Sequence, residues 1–430
     1  MKTFLKDIEL DKEVEVSGFV EVIRDQKTML FVVIKDSSGM LQVAISKKGQ
    51  PEIFEEAKKL TKYSVVSFTG KKVSAPMVSL GGVEFIPTGM EIESIAETSP
   101  VDEETGIDQR LDYRWIDLRG DKQRLIFKIR TFIERVMREF FIEKGFIEIH
   151  TPKISAIASE GGAEVFKFDY YGTKAFLTQS PQLYKQMAIA SGFDRVFEIG
   201  AQYRAEKSFT PRHASESVAF DFEIAYIKSH HELMDLEEEW LIYVLSKVKE
   251  EYGEEIKEVF KTEVKVPVKM PRIKLAEVFE IFEKEYGVVI PKGGRYDLDT
   301  EGEKLISRYA EEKLGSEFVF ITDYPSKSRA FYSKMIEGSK ECMAFDLLYR
   351  GWEMNSGAVR EHRYEVLSQQ IQEHGIKPEK MQEYLDFFKY GCPPHGGIGF
   401  GIDRFVAKLL GLKSIKESVF VFRGPSRIKP

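Results

Sequence analysis

The chain has 430 residues, 43% hydrophobic and 31% charged, with a formal net charge of −7 and two cysteines. Its length exceeds one ordinary core and implies two or three domains, while the lack of any run near ~18 uncharged apolar residues excludes a membrane-spanning helix. The first nine residues hold no secretion-signal core, and Cys342 and Cys392 lack metal-ligand spacing, so a soluble protein of the reducing cytoplasm is expected, with no membrane partner.

Residues 1–100 read as β structure. Val14, Val16, Gly18, Val20 and Val22 alternate with mostly polar residues, the period of a half-buried strand. Residues 30–34 are an apolar run, Asp36-Ser37-Ser38-Gly39 is a turn signal, and residues 40–45, 63–68 and 83–86 continue the pattern. Five short strands in about 100 residues suggest a small closed barrel, an OB-fold first among them. Residues 101–120 read as a linker or hinge, and 121–430 as a second domain.

That second domain opens on a helix in which Ile129, Phe132, Ile133, Val136, Met137 and Phe140 recur at steps of three and four. Gly145 ends it, and a strand over 146–149 leads to Pro152. Another helix covers 231–249, on the stripe Leu233, Leu236, Trp240, Leu241, Val244 and Leu245. Residues 250–300 are charged and carry no clear period. Strands follow at 318–322, 343–349 and 351–355, and helices at 366–374, 378–389 and 402–410. Strands and helices without regular alternation point to an α+β fold, an antiparallel sheet flanked by helices.

Arginines recur where a phosphate could be held. Tyr203-Arg204-Ala205-Glu206 sits at a strand end, followed by a loop with Lys207, Arg212 and His213. A guanidinium offers a planar bidentate fork to phosphate oxygens, although an Arg-x-Glu taken alone is weak. Gly396-Gly397-Ile398-Gly399-Phe400-Gly401-Ile402-Asp403-Arg404 is a glycine-rich strand running into a helix, and glycines let a backbone approach a ligand closely. Glu353 and Ser356, with Asp346 upstream, are hard oxygen donors suited to Mg²⁺ held mainly by phosphates and water.

Together these stretches resemble motifs 2 and 3 of class II aminoacyl-tRNA synthetases, and residues 145–152 with the preceding helix resemble motif 1. The fold this implies is an N-terminal five-stranded OB-fold barrel followed by a class II catalytic domain. Gln179-Ser180-Pro181-Gln182-Leu183-Tyr184-Lys185-Gln186 resembles the signature of the archaeal-type aspartyl enzymes of class IIb. The resemblance implies Arg204 and Arg404 as catalytic residues on the α- and γ-phosphates. It places ATP, the co-substrate, among Arg204, Glu206, Arg212, His213, Glu353 and Arg404, and Mg²⁺ on Glu353 and Ser356. Aspartate falls to Glu160, Gln182, Lys185, Asp221, Ser356 and Arg360. Glu160 stands in a Gly-Gly loop, Ser159 to Glu164, that resembles the one closing over the amino acid. Lys185 and Arg360 supply two cations for a β-carboxylate, and an asparagine amide would leave them unpaired. Ser217 and Val218 follow Glu216 where the family often has an aromatic, which makes Phe220 the candidate for framing the adenine.

On the barrel the resemblance implies an anticodon reader: Phe31 stacking a base, Gln42 reading the central uridine, and Arg24 and Asp25 completing the pattern. From periodicity alone Phe31 fits a barrel core equally well. The implied activity is ATP-dependent activation of L-aspartate and its transfer to tRNA(Asp), by a homodimer built on motif 1. Charging of tRNA(Asn) as well is left open, with Glu21 where relatives can carry an aromatic. Three rivals stand beside this reading. They are an asparaginyl-tRNA synthetase, disfavoured by Lys185, an amide-forming enzyme that activates aspartate, disfavoured by the barrel, and an inactive RNA-binding paralogue.

Overall fold

The computed structural model describes residues 3–102, 104–157 and 164–430, and the chain divides into two compact units, Met1–Thr105 and Gly106–Pro430. In the first, strands β1 (Glu13–Asp25), β2 (Met29–Lys35), β3 (Met40–Ser46), β4 (Val65–Ser74) and β5 (Val83–Ser94) close a barrel in the order β1-β2-β3-β5-β4, with helix α1 (Pro51–Ala57) between β3 and β4. Alternation sorts its side chains. Val16, Val20, Leu30, Val32, Ile34, Val43 and Phe68 fill the interior, and their neighbours in the strands face outward.

The second unit contains helices α2 (Ile107–Asp112), α3 (Arg114–Asp117) and α4 (Asp121–Glu143), then β6 (Ile147–Glu148). Strands β7 (Ile154–Ser155), β8 (Lys167–Tyr170) and β9 (Thr173–Leu177) form a small sheet of their own. There follow α5 (Gln182–Ala190), β10 (Arg195–Tyr203), β11 (Glu216–Ala225), α6 (His230–Phe260), β12 (Arg272–Lys274), α7 (Leu275–Tyr286), α8 (Thr300–Leu314) and β13 (Phe318–Thr322). The chain continues through β14 (Ala344–Tyr349), β15 (Trp352–Arg360), α9 (Tyr364–Glu373), α10 (Gln382–Lys389), β16 (His395–Gly401) and α11 (Ile402–Leu409).

The main sheet runs β12-β13-β14-β15-β16-β11-β10-β6. Its six central strands are antiparallel, while the outer pairs β12/β13 and β10/β6 are parallel, so the expected antiparallel sheet is mixed at both edges. Helices α4 and α6 bury their apolar stripes against one face, where Phe141, Trp240, Phe220, Phe222 and Phe400 pack together. Helix α6 runs eleven residues past the expected end at 249. A Ser229–Glu232 capping box starts it and Lys261, in the left-handed region at φ 57°, stops it. The linker expected over 101–120 is divided: the boundary between units falls at Thr105, and from Ile107 the chain is already helical within the second unit.

Candidate active site

The face of the sheet opposite α4 and α6 carries the site. β11 shows how one strand serves both faces. Phe220 and Phe222 enter the core, and Asp221 and Glu223, one residue out of step, point the other way. A cavity of about 440 Å³ on that side is lined by Gln182, Asp221 and Arg360 at one end and by Arg204, Glu206, Arg212, His213, Glu353 and Arg404 towards the other, with Ser356 among them. Residues separated by more than 200 positions therefore meet in one hollow. Glu160 lies outside the described residues.

At the Arg360 end of the cavity four charged groups form a buried quartet. Lys185, on α5, is fully buried, and its Nζ lies 2.9 Å from Asp221 Oδ1, 3.4 Å from Glu223 Oε2 and 2.9 Å from the Ile398 carbonyl oxygen. Arg360, at the end of β15, donates from Nε to Glu223 Oε1 at 2.9 Å and from Nη2 to Gln182 Oε1 at 3.1 Å and the Gly397 carbonyl at 3.0 Å. Gln202 Nε2 holds the second oxygen of Asp221 at 2.7 Å. Burial raises the Asp221 pKa against the pull of Lys185. For Glu223 burial acts in the same sense, but Arg360 and Lys185 outweigh it and hold the carboxylate below its usual range.

This corrects the expectation that two unpaired cations await a ligand, because Asp221 and Glu223 already balance them. What Arg360 can offer a ligand is therefore a set of donors, not an unbalanced charge. Among the described residues Arg360 Nη1 makes no hydrogen bond, so the guanidinium presents N–H donors alone to a ligand. A carboxylate offers only acceptors there, whereas an amide turns either its NH₂ or its single oxygen towards them. Gly397 lets the quartet close: a Cβ at that position would collide with the Phe222 carbonyl oxygen and the Glu223 carboxylate.

At the other end of the cavity, Arg204 follows directly on β10, its side chain 47% exposed and its Nη1 3.5 Å from Glu206 Oε1. Arg212 is drawn aside into an ion pair with Glu303 on α8. Arg404, in the first turn of α11, donates to the Glu353 carbonyl oxygen at 3.0 Å and the Arg212 carbonyl oxygen at 3.3 Å. His213 hydrogen-bonds Thr210 and Ser208 through Nδ1, and burial and Arg404 push its pKa down to about 4. It is neutral at pH 7. Three arginines in one hollow form a well for a polyanion. Phe220 contributes nothing to it, because it is fully buried in the core and Ser217, Val218 and Ala219 line the cavity instead.

Glu353 and Ser356 fit a hard cation in chemistry. The Glu353 side chain lines the cavity, and removal from water, then repulsion by Asp346, pushes its pKa up to about 7; a cation there would relieve the second of these. Ser356 Oγ donates to Asp346 Oδ1 at 2.5 Å. No group of three or more His, Cys, Asp or Glu residues suited to a metal occurs among the described residues. A Mg²⁺ would therefore take most of its ligands from phosphate and water. Arg329 escaped the sequence reading; it clamps Asp346 through Nη1 at 2.8 Å and Nη2 at 2.5 Å. Glu223, Gln202 and Glu303 were likewise missed, although the alternation Phe220-Asp221-Phe222-Glu223 does signal two acids on one strand face.

On the barrel, the outward row of β1–β3 brings the predicted trio together. Arg24 Nη2 donates to Gln42 Oε1 at 2.5 Å, and its guanidinium carbon lies 5.9 Å from the Phe31 ring centroid. Phe31 is half-buried and stands outside the interior cluster. Glu21, on the same strand as Arg24, lies 3.7 Å from Lys62 Nζ.

Residues 106–423 match the family model described as tRNA synthetases class II (D, K and N), and residues 14–93 match the OB-fold nucleic acid binding domain. An aspartate–tRNA(Asp) ligase of Pyrococcus abyssi is 44% identical over 427 residues, which cover 97% of this chain and 96% of that protein. An aspartate–tRNA(Asp/Asn) ligase of Methanopyrus kandleri is 41% identical with the same two coverages. Among solved structures, asparaginyl-tRNA synthetase from Pyrococcus horikoshii complexed with asparaginyl-adenylate matches with a TM-score of 0.93 at 30% identity, over 100% of both chains.

Proposed function

Because the chain belongs to the class II tRNA synthetases of the D, K and N group, we propose that it is an aspartate–tRNA ligase, activating L-aspartate with ATP and passing it to the 3′ end of tRNA(Asp). The observation that carries the choice of amino acid is the quartet, in which Arg360 turns donors alone into a cavity it shares with Arg204 and Arg404. Asparaginyl relatives have the same fold, so the fold does not select between the two amino acids; the donors do.

In this reading the α-ammonium of aspartate faces Asp221 and the β-carboxylate faces Arg360, with Lys185 supplying the second positive charge behind Asp221. Arg204 holds the α-phosphate within reach of the α-carboxylate, one oxygen of which attacks the phosphorus. The bond to the β-phosphate oxygen breaks, and pyrophosphate leaves with its charge met by Arg404. Neutral His213 can donate a hydrogen bond without adding charge. A Mg²⁺ on Glu353 and Ser356 would neutralise part of the triphosphate charge. No side-chain nucleophile takes part, and orientation and electrostatics carry the rate. In the second step the 3′-hydroxyl of the terminal adenosine attacks the acyl carbon and AMP departs.

The barrel trio Arg24, Phe31 and Gln42 suits an unstacked base, with an aromatic face beside polar edges. Two exposed apolar side chains on the motif 1 element, Ile142 at 57% and Ile147 at 51%, support a homodimer there. No helix among the described residues is long and apolar enough to cross a membrane, and both cysteines are free, which suits a cytoplasmic enzyme. Aminoacylation of purified tRNA(Asp) and tRNA(Asn) with labelled aspartate tests the whole reading. Label on tRNA(Asp) is expected, label on tRNA(Asn) would extend it, and label on neither would refute it.

A further inference from the structure

Glu353 and Ser356 are three residues apart on β15, and in a regular strand such a pair points to opposite faces. Both nevertheless line the cavity. The β14–β15 register explains this. Asp346 pairs with Ser356 and Leu347 with Asn355, but Leu348 pairs with Glu353, so Met354 is an extra residue with no opposite number. The bulge turns two successive side chains to the helix side of the sheet and resets the alternation on the cavity side. Met354, 1% exposed, joins the core under α6. Asn355, also 1% exposed, accepts from the Leu347 N–H through Oδ1 at 3.1 Å and donates through Nδ2 to Glu237 Oε2 on α6 at 3.0 Å.

We propose that Asn355, anchored by Glu237, is the positioning residue that fixes this bulge and so holds Glu353 and Ser356 as one cation-binding pair. The side chain is suited to the task. Its oxygen occupies the buried donor where the ladder shifts, and its nitrogen ties the strand to the long helix packed beneath it. Glu237 is fully buried with no cation beside it, and its second oxygen has no hydrogen-bond partner among the described residues. Burial raises its pKa well above the ordinary value. A buried acid with one partner is costly to keep, and that partner is the bulge residue. Arg360 lies five positions further along β15, beyond the irregularity, where the register with β14 and β16 is regular. The bulge should therefore govern the cation pair and leave Asp221 and Arg360, the groups that face aspartate in this reading, in place.

The inference rests on the reading of Glu353 and Ser356 as cation ligands, and its test separates the two. Mn²⁺ binding to the ATP-loaded full-length protein is followed by electron paramagnetic resonance, beside the KM for aspartate in pyrophosphate exchange. Asn355→Leu is expected to weaken Mn²⁺ binding at least about tenfold, the range for loss of a residue that orients a metal ligand, with the aspartate KM within about twofold of the parent. Glu237→Gln keeps an acceptor for Asn355 and should leave both values unchanged. Should Asn355→Leu fail to fold, Asn355→Ser removes the same two contacts with less bulk and is read in the same way. Parent-like Mn²⁺ binding in the folded variant overturns the inference, as does an equal rise in the aspartate KM. Glu353→Gln is the control. If it too leaves Mn²⁺ binding unchanged, the cation reading itself falls, whereas if it alone weakens binding, only the role of Asn355 falls.

Discussion

Replacing Lys185 with methionine keeps the length of the side chain and removes its charge. In the parent, Lys185 and Arg360 balance Asp221 and Glu223, all at 5% exposure or less. The substitution leaves the buried group with one negative charge in excess and strips Asp221 of its 2.9 Å partner. Breaking a buried pair in this way costs roughly 3–5 kcal/mol. Asp221 keeps its 2.7 Å hydrogen bond from Gln202, so the variant should fold with a Tm lowered by several degrees. The β-carboxylate of aspartate would then approach a site that is negative instead of neutral. If a similar ~3–5 kcal/mol is lost from the transition state, kcat/KM for aspartate in pyrophosphate exchange falls by about 10²–10⁴. Asparagine, with no β charge, should lose less, so the ratio between the two amino acids shrinks. Circular dichroism and a melting curve establish that the variant is folded. A folded Lys185→Met protein with aspartate exchange within about threefold of the parent, well short of that loss, would refute the charge argument.

Other perturbations address other parts of the molecule. Arg404→Ala removes the charge proposed to meet the leaving pyrophosphate and should lower kcat of exchange by about 10²–10³, measured at saturating ATP and aspartate. Gly397→Ala places a methyl group against the Glu223 carboxylate and should raise the aspartate KM while leaving ATP binding unchanged, both read from exchange kinetics. Glu237→Gln changes the pH dependence of stability. The folded-state pKa of Glu237 lies above the ordinary 4.5, so the stability it contributes as a neutral acid is complete below about 4.5 and is lost as pH rises through the elevated value. The variant should therefore gain more Tm at pH 8.5 than at pH 5 in paired melting curves. Phe31→Ala should slow tRNA charging by about 5- to 150-fold, the worth of one base stacked on an aromatic, without altering pyrophosphate exchange.

Much of this is legible in the amino-acid sequence. The barrel strands show in their alternation, and α4 in its three-and-four spacing. The clusters around Arg204 and Arg404 carry chemistry that few other arrangements need. What stayed hidden has a common physical cause: a one-dimensional pattern shows which residue types alternate, not which partner each one meets. Lys185 looks the same whether it faces solvent or a buried carboxylate, and its pairing with Asp221 and Glu223 changes the argument for selectivity from unpaired charge to donor geometry. Phe220 is the aromatic that stands nearest the expected adenine position in the sequence, yet in a strand whose odd positions carry Asp221 and Glu223 it enters the core. Residues 250–300 hid α7, although Leu275, Val278, Phe279 and Phe282 do recur at helical spacing; the surrounding charges diluted the signal. The bulge at Met354 was unreadable because a single inserted residue leaves no mark on composition.

Everything proposed for this chain needs a hollow that accepts a dicarboxylic amino acid next to ATP. ATP–pyrophosphate exchange by the unmodified protein, with aspartate and asparagine compared at equal concentrations, tests that most directly. Exchange driven by aspartate, with asparagine near background, is the expected result; exchange driven by asparagine alone would overturn the assignment of the amino acid.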